Sequence, residues 1–399
     1  MELKSINSVC FRGKRVLLRA DFNVPKVGGV VTDDTRLLSV IPTIRKILSD
    51  GGYPVILSHY GDPKGKPDKS LSLEFLRSPL EESLASPVAF VADYMGEEAV
   101  SRINKIGKNQ TVLCENTRFH QGEKENRREF AEKLSFLGDV FVNDAFSVSH
   151  RAHASVVGIP EFLPAYSGMH MSYEINMLES LLSKPARPLG VIVGGAKIST
   201  KLELLKNLVG FSDYLMIGGA MANTFLAAQG HKIGASLFEA DMLDEALDVL
   251  KAAKKNNCDI LLPTDVMVAP SLSQTGNVCH RECSDLQSAE CIFDIGLQTI
   301  EAFNQCLSKL KTIVWNGPVG VVEVQPFHKG SFELARNIAK LTHEKLIVSI
   351  AGGGDTLAML RASKTLEEMT FASTAGGAFL AWLEGKTLLG LVPLIQKES

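Results

Sequence analysis

Short, unbroken apolar runs alternate along this chain with longer segments in which apolar residues recur at intervals of three and four. The short runs are rich in Val, Ile and Leu and predict parallel strands that are buried on both faces. The longer segments, such as residues 37–48, present one apolar face each and predict helices. Because strand and helix alternate in both halves, the pattern predicts an α/β protein whose parallel sheets are flanked by helices.

The alternation is interrupted between Pro164 and Pro188. Residues 172–183 predict one amphipathic helix with prolines on both sides, and strand-helix alternation resumes at Leu189. We therefore predict an N-terminal domain over residues 1–168, a connector helix over 169–188 and a second domain over 189–379. One large domain that contains this helix is the alternative, but a chain of 399 residues favours two domains.

Polar residues directly follow the predicted strands of the first half, at Asp21 and Asn23, His59, Arg118 and Arg151. The carboxyl ends of parallel strands meet at one edge of a sheet, which is where open α/β sheets bind ligands. Several arginines and a histidine at one edge favour a small, multiply negative ligand, because guanidinium groups grip phosphate and carboxylate bidentately. For any single arginine, an ordinary surface ion pair is the simpler interpretation.

A glycine-rich turn follows the apolar run 346–350 and leads through Asp355 to a predicted helix that starts at Thr356. Free backbone N–H groups at such a helix start form a seat for phosphate. Asp355 is placed to hold Mg²⁺, which prefers one or two carboxylates together with phosphate oxygens of the substrate. Taken alone, the turn is equally well explained as a tight connection between strand and helix.

Similar glycine turns follow other predicted strands of the second half, at residues 194–195, 218–219, 317–320 and 376–377. Lys197 and Lys201 are four residues apart, which predicts that both project from one side of the first turn of the next helix. Two cations beside a glycine turn favour a polyphosphate ligand.

Composition and charge narrow the classes of function. A hydrophobic content of 45% and a charged content of 22% are those of a folded globular protein. The net charge of −3 provides no general basic field, so neither nucleic acid nor a membrane surface is an expected partner. The N-terminus lacks the apolar core of a signal peptide and no apolar run has the length of a membrane span, so we expect a cytoplasmic protein.

Several familiar motifs are absent from the sequence. It contains no P-loop G-x-x-x-x-G-K-[ST], no dinucleotide G-x-G-x-x-G, no protein-kinase H-R-D and no G-x-S-x-G elbow. Cys279, His280, Cys283 and Cys291 could suggest zinc, but their spacing favours reduced thiols. Seven cysteines, an odd count, argue against a disulfide framework.

Taken together, these segments closely resemble the phosphoglycerate kinase family. The segments that match the family's motifs are Arg19–Pro25, Ser58–His59, Glu115–Arg118, Val142–Phe146, His150–Ser155, Gly194–Lys197, Trp315–Pro318 and Gly352–Thr356. They occur in the family's order over almost the whole chain. The joint match is far more specific than any one motif.

The resemblance implies two substrate sites. The residues that it implies for the acid substrate are Asp21, Asn23, Arg36, His59, Arg118 and Arg151. The residues that it implies for the nucleotide are Lys197, Lys201, Gly219, Asn316, Glu323, Gly352, Gly353, Gly354, Asp355 and Thr356, with Asp355 toward Mg²⁺. The residues that it implies for the transfer itself are Arg36, Lys197 and Gly376.

The same resemblance implies the reaction and the architecture. The reaction is reversible, Mg²⁺-dependent phosphoryl transfer between 1,3-bisphosphoglycerate and ADP in glycolysis, giving 3-phosphoglycerate and ATP. The transfer would be direct and in line, in a monomer whose two Rossmann-like domains close about a hinge helix. The last stretch, about residues 380–399, would pack back on the N-terminal domain.

The chain departs from the family's pattern at a few positions. Asp62 stands where the family has an arginine of the acid site, and we hypothesise that Lys64 or Lys66 compensates. Ala375 and Ala220 replace glycines near the nucleotide, and the phosphate turn survives if the φ angle of Ala375 is negative.

Three alternatives to the kinase remain at this point. Because of Asp62, one is a catalytically weakened family member that acts as a nucleotide-binding scaffold. The others are a two-domain binding protein without enzymatic activity and a dehydrogenase, although the dinucleotide fingerprint of the latter is absent.

Overall fold

The computed structural model describes residues 1–106 and 110–396. The chain forms two compact units, of which one comprises Met1–Leu178 with the chain from Thr387 onward and the other comprises Glu179–Lys386. Within the described residues, each unit contains a six-stranded parallel sheet flanked by helices. The fold class predicted from the alternation of strands and helices is therefore confirmed.

Among its described residues, the first unit contains eight strands, five complete helices and the first part of a sixth. Its strands are β1 Arg15–Arg19, β2 Lys26–Val27, β3 Val30–Val31, β4 Tyr53–Leu57, β5 Val88–Val91, β6 Thr111–Cys114, β7 Val140–Asn143 and β8 Ala165–Ser167. Its helices are α1 Thr35–Ser49, α2 Arg77–Leu84, α3 Glu97–Lys105, α4 Gln121–Lys124, α5 Arg128–Ser135 and the start of α6 Met169–Leu182.

The parallel sheet of this unit has the order β5-β6-β4-β1-β7-β8. In the register of the central strand, Val16 lies opposite Pro54 on one side and Val140 on the other. Val16, Leu17 and Leu18 are completely buried, which explains why β1 is an unbroken apolar run. The buried face of α1 contains the residues whose spacing predicted that helix, among them Leu37, Ile41, Ile44 and Ile47.

The second unit continues the numbering. Its strands are β9 Leu189–Val193, β10 Tyr214–Ile217, β11 Asp259–Leu261, β12 Asp265–Ala269, β13 Cys279–Glu282, β14 Cys291–Ile295, β15 Thr312–Asn316, β16 Val348–Gly352 and β17 Phe371–Ser373. Besides the end of α6, its helices are α7 Leu202–Phe211, α8 Ala220–Ala228, α9 Leu243–Lys255, α10 Leu297–Leu307, α11 Lys329–His343, α12 Gly354–Ala362 and α13 Gly377–Leu383.

The parallel sheet of the second unit has the order β11-β10-β9-β15-β16-β17, and a separate antiparallel sheet has the order β13-β12-β14. The antiparallel sheet and the small hairpin β2-β3 were not predicted. Strand β13 alternates half-buried with exposed positions, and strands β2 and β3 have only two residues each. Such segments lack the continuous apolar run by which the parallel strands were recognised.

Two helix starts differ from the prediction. Helix α12 begins at Gly354 rather than at Thr356, because Gly353, with φ +104°, makes the turn. Helix α7 begins at Leu202, so Lys197 and Lys201 both precede it. The prediction that the two lysines lie on its first turn was therefore wrong.

The described part of the chain from Thr387 onward is bonded to the N-terminal part of its own unit. The backbone N–H of Gly390 donates to the Ser149 carbonyl at 2.8 Å, and the backbone N–H of Lys4 donates to the Leu394 carbonyl at 2.8 Å. Among the residues described, no helix has the length and apolar character needed to cross a membrane.

Candidate active site

Asp21 is the centre of a polar cluster at the carboxyl edge of the first sheet, two residues beyond β1. Its carboxylate lies 3.0 Å from Arg36 Nη1 and 3.8 Å from His59 Nδ1, and it accepts a short hydrogen bond from the Ser147 hydroxyl. Arg36, on the first turn of α1, also donates to the carbonyl of Asn23 at 3.1 Å. These contacts hold the guanidinium of Arg36 at the sheet edge, where it stays partly exposed.

Burial alone would raise the pKa of Asp21, but the charge of Arg36 and the hydrogen bonds from Ser147 and from the N–H of Asn23 outweigh it and hold that pKa below its usual range. Burial also holds the pKa of His59 well below its usual range, and Arg19, Arg118 and His153 lower it further against the opposing charge of Asp21. At neutral pH the cluster therefore contains an ionised Asp21 and a neutral His59.

The side chain of Asn23 connects this cluster to the loop after β4. Its Oδ1 accepts the backbone N–H of Gly61 at 3.0 Å, and the carbonyl of the same Gly61 accepts from Arg118 Nη1 at 2.7 Å. Burial, with help from the charges of Arg19 and Arg151, lowers the pKa of Arg118 to about 10. Arg118 is therefore still charged at neutral pH, and its Nε is a buried donor without a protein acceptor in the described residues.

Beneath these residues lies a buried layer that sequence reasoning missed. Arg19 and Glu123 are both completely buried, and the Ser155 hydroxyl connects them: Arg19 Nε donates to Ser155 Oγ at 2.8 Å, which donates to Glu123 Oε1 at 2.6 Å. The signal that could have revealed it is a charge at the end of an otherwise apolar strand, since charges are rarely buried unless paired.

Asp62, the departure from the family pattern, pairs with a residue that was not predicted. Its carboxylate lies 2.6 Å from Lys124 Nζ on α4. The hydrogen bond from Lys124 lowers the pKa of Asp62, and the charge of Arg118 contributes in the same direction. The hypothesis that Lys64 or Lys66 takes the place of the family's arginine stays a prediction, since this ion pair concerns only the partner of Asp62. Arg151, for its part, is exposed and contacts His150.

In the second unit, the loops after β9, β10 and β15 pack backbone against backbone. A Cβ at Gly194 would overlap the carbonyl oxygen of Pro318 and lie 2.6 Å from that of Gly317, and a Cβ at Gly219 would lie 2.7 Å from the carbonyl of Gly195. Gly219 also has φ +68°, a conformation that other residues rarely adopt. These glycines are therefore required by the close approach of the three loops.

Lys201 joins these loops through its ammonium group. Its Nζ donates to the carbonyl of Gly194 at 2.7 Å and to Asn316 Oδ1 at 2.6 Å, while Asn316 Nδ2 donates to the carbonyl of Gly352 at 2.7 Å. Burial lowers the pKa of Lys201 to about 8, against the opposing charge of Asp355. Lys197 is exposed, so the structure treats the two lysines differently.

Two helices begin at the same edge of the second sheet. Thr356, inside the first turn of α12, accepts the N–H of Gly317 at 2.7 Å and donates to the carbonyl of Gly352 at 3.0 Å. Helix α13 begins after Gly376, whose φ is +47°. Ala375 is not among the described residues with positive φ, which is the condition stated above for the phosphate turn to survive.

A cleft of about 470 Å³ opens beside these loops. It is lined by the predicted residues Gly219, Glu323 and Asp355 and by apolar residues such as Leu237 and Val319. An apolar cleft that ends at polar groups and helix starts suits a ligand with a flat apolar part and a charged part. Asp294, in the cleft wall, was missed by sequence reasoning; burial raises its pKa to about 7.

The sequence raised two metals for the second unit, zinc at a group of cysteines and a histidine, and Mg²⁺ at Asp355. Within the described chain, no group of three or more His, Cys, Asp or Glu side chains is arranged to hold a metal ion. His280 instead bonds Asp265 at 2.6 Å, and the Cys283 thiol faces the carbonyl of Pro263. Asp355 is an exposed single carboxylate at the start of α12, which fits an Mg²⁺ ion that takes its other ligands from nucleotide phosphates and water.

The sequence profile of the family described as phosphoglycerate kinase matches residues 6–386. The chain belongs to the phosphoglycerate kinase family. Members of this family are phosphotransferases of glycolysis that use a carboxyl group as acceptor and ATP or ADP as substrate.

Individual relatives agree with the family profile. A phosphoglycerate kinase of Xanthobacter flavus is 48% identical over 390 residues, covering 97% of this chain and 98% of its own. One from Caulobacter vibrioides strain NA1000 is 46% identical over 394 residues, covering 99% and 100%. These family relationships confirm the resemblance drawn from the motifs, and none of them favours the scaffold alternative.

Solved structures of the family have the same fold. Phosphoglycerate kinase from Coxiella burnetii superposes with a TM-score of 0.87 at 39% identity, covering 98% of this chain and 99% of that one. The enzyme from Pyrococcus horikoshii OT3 superposes with a TM-score of 0.85 at 29% identity, covering 98% of each chain.

The lowered pKa of Lys201 leads to a prediction about pH. Above about pH 8 the free protein loses the positive charge of Lys201, so kcat/KM for MgATP should fall by up to tenfold per pH unit if this charge binds phosphate. Initial rates between pH 6.5 and 9.5 measure this dependence of kcat/KM on pH. In Lys201→Arg the break in the pH profile, which is the onset of this fall in kcat/KM, should disappear from this range, because a guanidinium does not titrate there. Lys197→Arg is the matched control and should keep the break. A break near pH 8 that persists in Lys201→Arg would contradict the role of Lys201.

Proposed function

We propose that this chain catalyses reversible, Mg²⁺-dependent phosphoryl transfer between 1,3-bisphosphoglycerate and ADP, giving 3-phosphoglycerate and ATP. The observation that carries the proposal is that each parallel sheet ends in a different kind of anion site. The first sheet ends in a cluster of arginines around Asp21 and His59. The second ends in glycine loops, Lys201 and two helix starts beside an apolar cleft.

We assign the acid substrate to the first cluster. Arg36, Arg118 and Arg151 would neutralise its carboxylate and phosphate, with bidentate contacts that lysine cannot make. Asn23 and Asp21 would orient its hydroxyl group and the guanidinium of Arg36. This assignment is supported by the bonds that hold Arg36 to the carbonyl of Asn23 and Arg118 to the carbonyl of Gly61, since charges fixed by the protein need little rearrangement to bind an anion.

We assign the nucleotide to the cleft of the second unit. Glu323 and Gly219 would border the nucleoside, while Lys201 and the N–H groups from Gly352 to Thr356 would face its phosphates. Asp355 would hold Mg²⁺, which when bound neutralises charge on those phosphates. Asn316 would act indirectly, because its side chain ties Lys201 to Gly352.

The transfer step that we propose uses no covalent intermediate. Phosphoryl transfer needs positioning and charge neutralisation more than a protein nucleophile. Arg36, Lys197 and the N–H groups around Gly376 would stabilise the transferring group, and the exposed position of Lys197 leaves it able to follow that group. Closure of two domains about a connector that includes α6, as the resemblance implies, is part of this proposal because it would exclude water.

The test is initial-rate formation of ADP from MgATP while 3-phosphoglycerate is titrated. We expect saturable turnover that EDTA abolishes and that excess Mg²⁺ restores. Nucleotide binding measured by calorimetry, together with no turnover at any concentration of 3-phosphoglycerate, would overturn the proposal in favour of the scaffold. Light scattering coupled to size exclusion and cell fractionation test the further proposals that the protein is monomeric and cytoplasmic.

Asp62→Arg tests what the departure from the family does to this activity. The substitution removes a negative charge that acts on Arg118 and adds a positive one, so we expect KM for 3-phosphoglycerate to fall by about threefold to tenfold while kcat changes less. Glu132→Arg, which makes the same charge change at an exposed position of α5, is the matched control. An unchanged KM in Asp62→Arg would show that Asp62 does not weaken the acid site.

A further inference from the structure

Arg19, the last residue of β1, is a completely buried charge that no role assigned above uses. Its guanidinium makes three contacts: Nε donates to Ser155 Oγ at 2.8 Å, Nη1 donates to the carbonyl of Ala20, and Nη2 lies 3.2 Å from His59 Nδ1. The third contact connects it to a residue of the acid site. It therefore bears on the hydrogen-bonding state of His59.

A guanidinium has donors and no acceptor, and it stays protonated in proteins. In the contact between Arg19 and His59, the ring nitrogen Nδ1 must therefore be the acceptor, which requires that Nδ1 carries no hydrogen. A neutral imidazole then carries its hydrogen on Nε2. The opposite tautomer would place two donors against each other at 3.2 Å.

Asp21 is the group that could favour the opposite tautomer, since it would accept a hydrogen from Nδ1. Its Oδ1 lies 3.8 Å from that nitrogen, which is too long for a hydrogen bond. Asp21 is also satisfied by Arg36, by Ser147 and by the N–H of Asn23. The shorter contact of His59 is with Arg19.

Contacts with Ser155 and, through it, with Glu123 hold the orientation of Arg19. The Ser155 hydroxyl accepts from Arg19 Nε and donates to Glu123 Oε1 at 2.6 Å, and Glu123 Oε2 accepts the backbone N–H of Ser155 at 3.0 Å. Glu123 is completely buried and supplies the charge that balances Arg19. The chain of contacts runs from Glu123 through Ser155 and Arg19 to His59.

We propose that Arg19 is a positioning residue of the acid site: it holds His59 as the neutral tautomer with its hydrogen on Nε2, so that His59 donates this hydrogen to an oxygen of the anionic substrate. The burial that lowers the pKa of His59, and the cations Arg19 and Arg118 around it, act in the same direction against Asp21. The role toward substrate rests on the proposed function, whereas the tautomer is a property of the protein without ligand.

Long-range ¹H–¹⁵N correlation spectra of the full chain, labelled with ¹⁵N-histidine and free of ligand, report the tautomer of each histidine at pH 7. His59→Gln assigns the signals of His59. We expect an unprotonated Nδ1 and a protonated Nε2. A hydrogen on Nδ1, alone or together with one on Nε2, would overturn the inference whether or not the protein shows kinase activity.

Ser155→Ala tests the positioning role without removing the buried charge. Losing the hydroxyl frees Arg19 Nε, so we expect a mixture of His59 tautomers and a rise in KM for 3-phosphoglycerate of about threefold to tenfold, with a smaller change in kcat. Ser135→Ala, which deletes a hydroxyl bonded within α5, is the control and should change neither. An unaltered His59 spectrum and an unaltered KM in folded Ser155→Ala would contradict the positioning role.

Discussion

Replacing Arg36 by alanine is expected to lower kcat about a thousandfold, the scale of an arginine that neutralises charge on a transferring phosphoryl group. The structure places this guanidinium at the edge of the first sheet, tied to Asp21 at 3.0 Å and to the carbonyl of Asn23 at 3.1 Å, yet partly exposed. Because the proposed contact strengthens as charge develops, kcat should fall far more than KM for 3-phosphoglycerate rises.

Arg36→Lys separates charge from geometry. Lysine keeps the positive charge but loses the planar, bidentate group, so this variant should recover only part of the lost turnover. Arg45→Ala, an exposed position further along α1 that bonds the carbonyl of Ser83, controls for loss of a cation from the same helix. Steady-state measurements of kcat and KM for the three variants test the role of Arg36. A turnover of Arg36→Ala near that of the wild type would remove Arg36 from the proposed mechanism.

Replacing Gly194 by alanine is expected to destabilise the second unit by about 3 kcal/mol, the range for overpacking a close contact. The new methyl group would overlap the carbonyl of Pro318. The loops cannot simply separate, because the N–H of Gly194 donates to the carbonyl of Asn316 at 2.9 Å and Lys201 bonds both loops. Moving them apart would also displace Lys201, so affinity for MgADP should fall by at least about tenfold.

Thermal unfolding and calorimetric titration with MgADP measure the two effects of Gly194→Ala. The control is Gly210→Ala in α7, an exposed helical position where an added Cβ meets nothing within 4 Å. This control should be neutral or slightly stabilising, because alanine favours a helix over glycine. If Gly194→Ala unfolds at the same temperature and binds MgADP as the wild type does, the close approach of the loops is not what requires this glycine.

The sequence alone determined the fold class and the positions where function is concentrated. Short apolar runs such as Val16–Leu18, repeated between helical segments, favour parallel strands covered on both faces, so strand positions and their burial could be predicted without coordinates. Polar residues that end such runs must then lie at one edge, which placed Asp21, His59 and Arg118 near each other. The order of the motifs along the chain identified the family.

Tertiary structure alone decided which charged groups meet and with what partner. Residues far apart along the chain form the contacts of Arg19 with His59, of Asp62 with Lys124 and of Lys201 with Asn316. Local pattern reports which face of an element is buried, but it contains no information on which buried polar group satisfies which other. The same holds for Lys197 and Lys201: identical side chains four residues apart end in different surroundings because only one reaches the packed glycine loops.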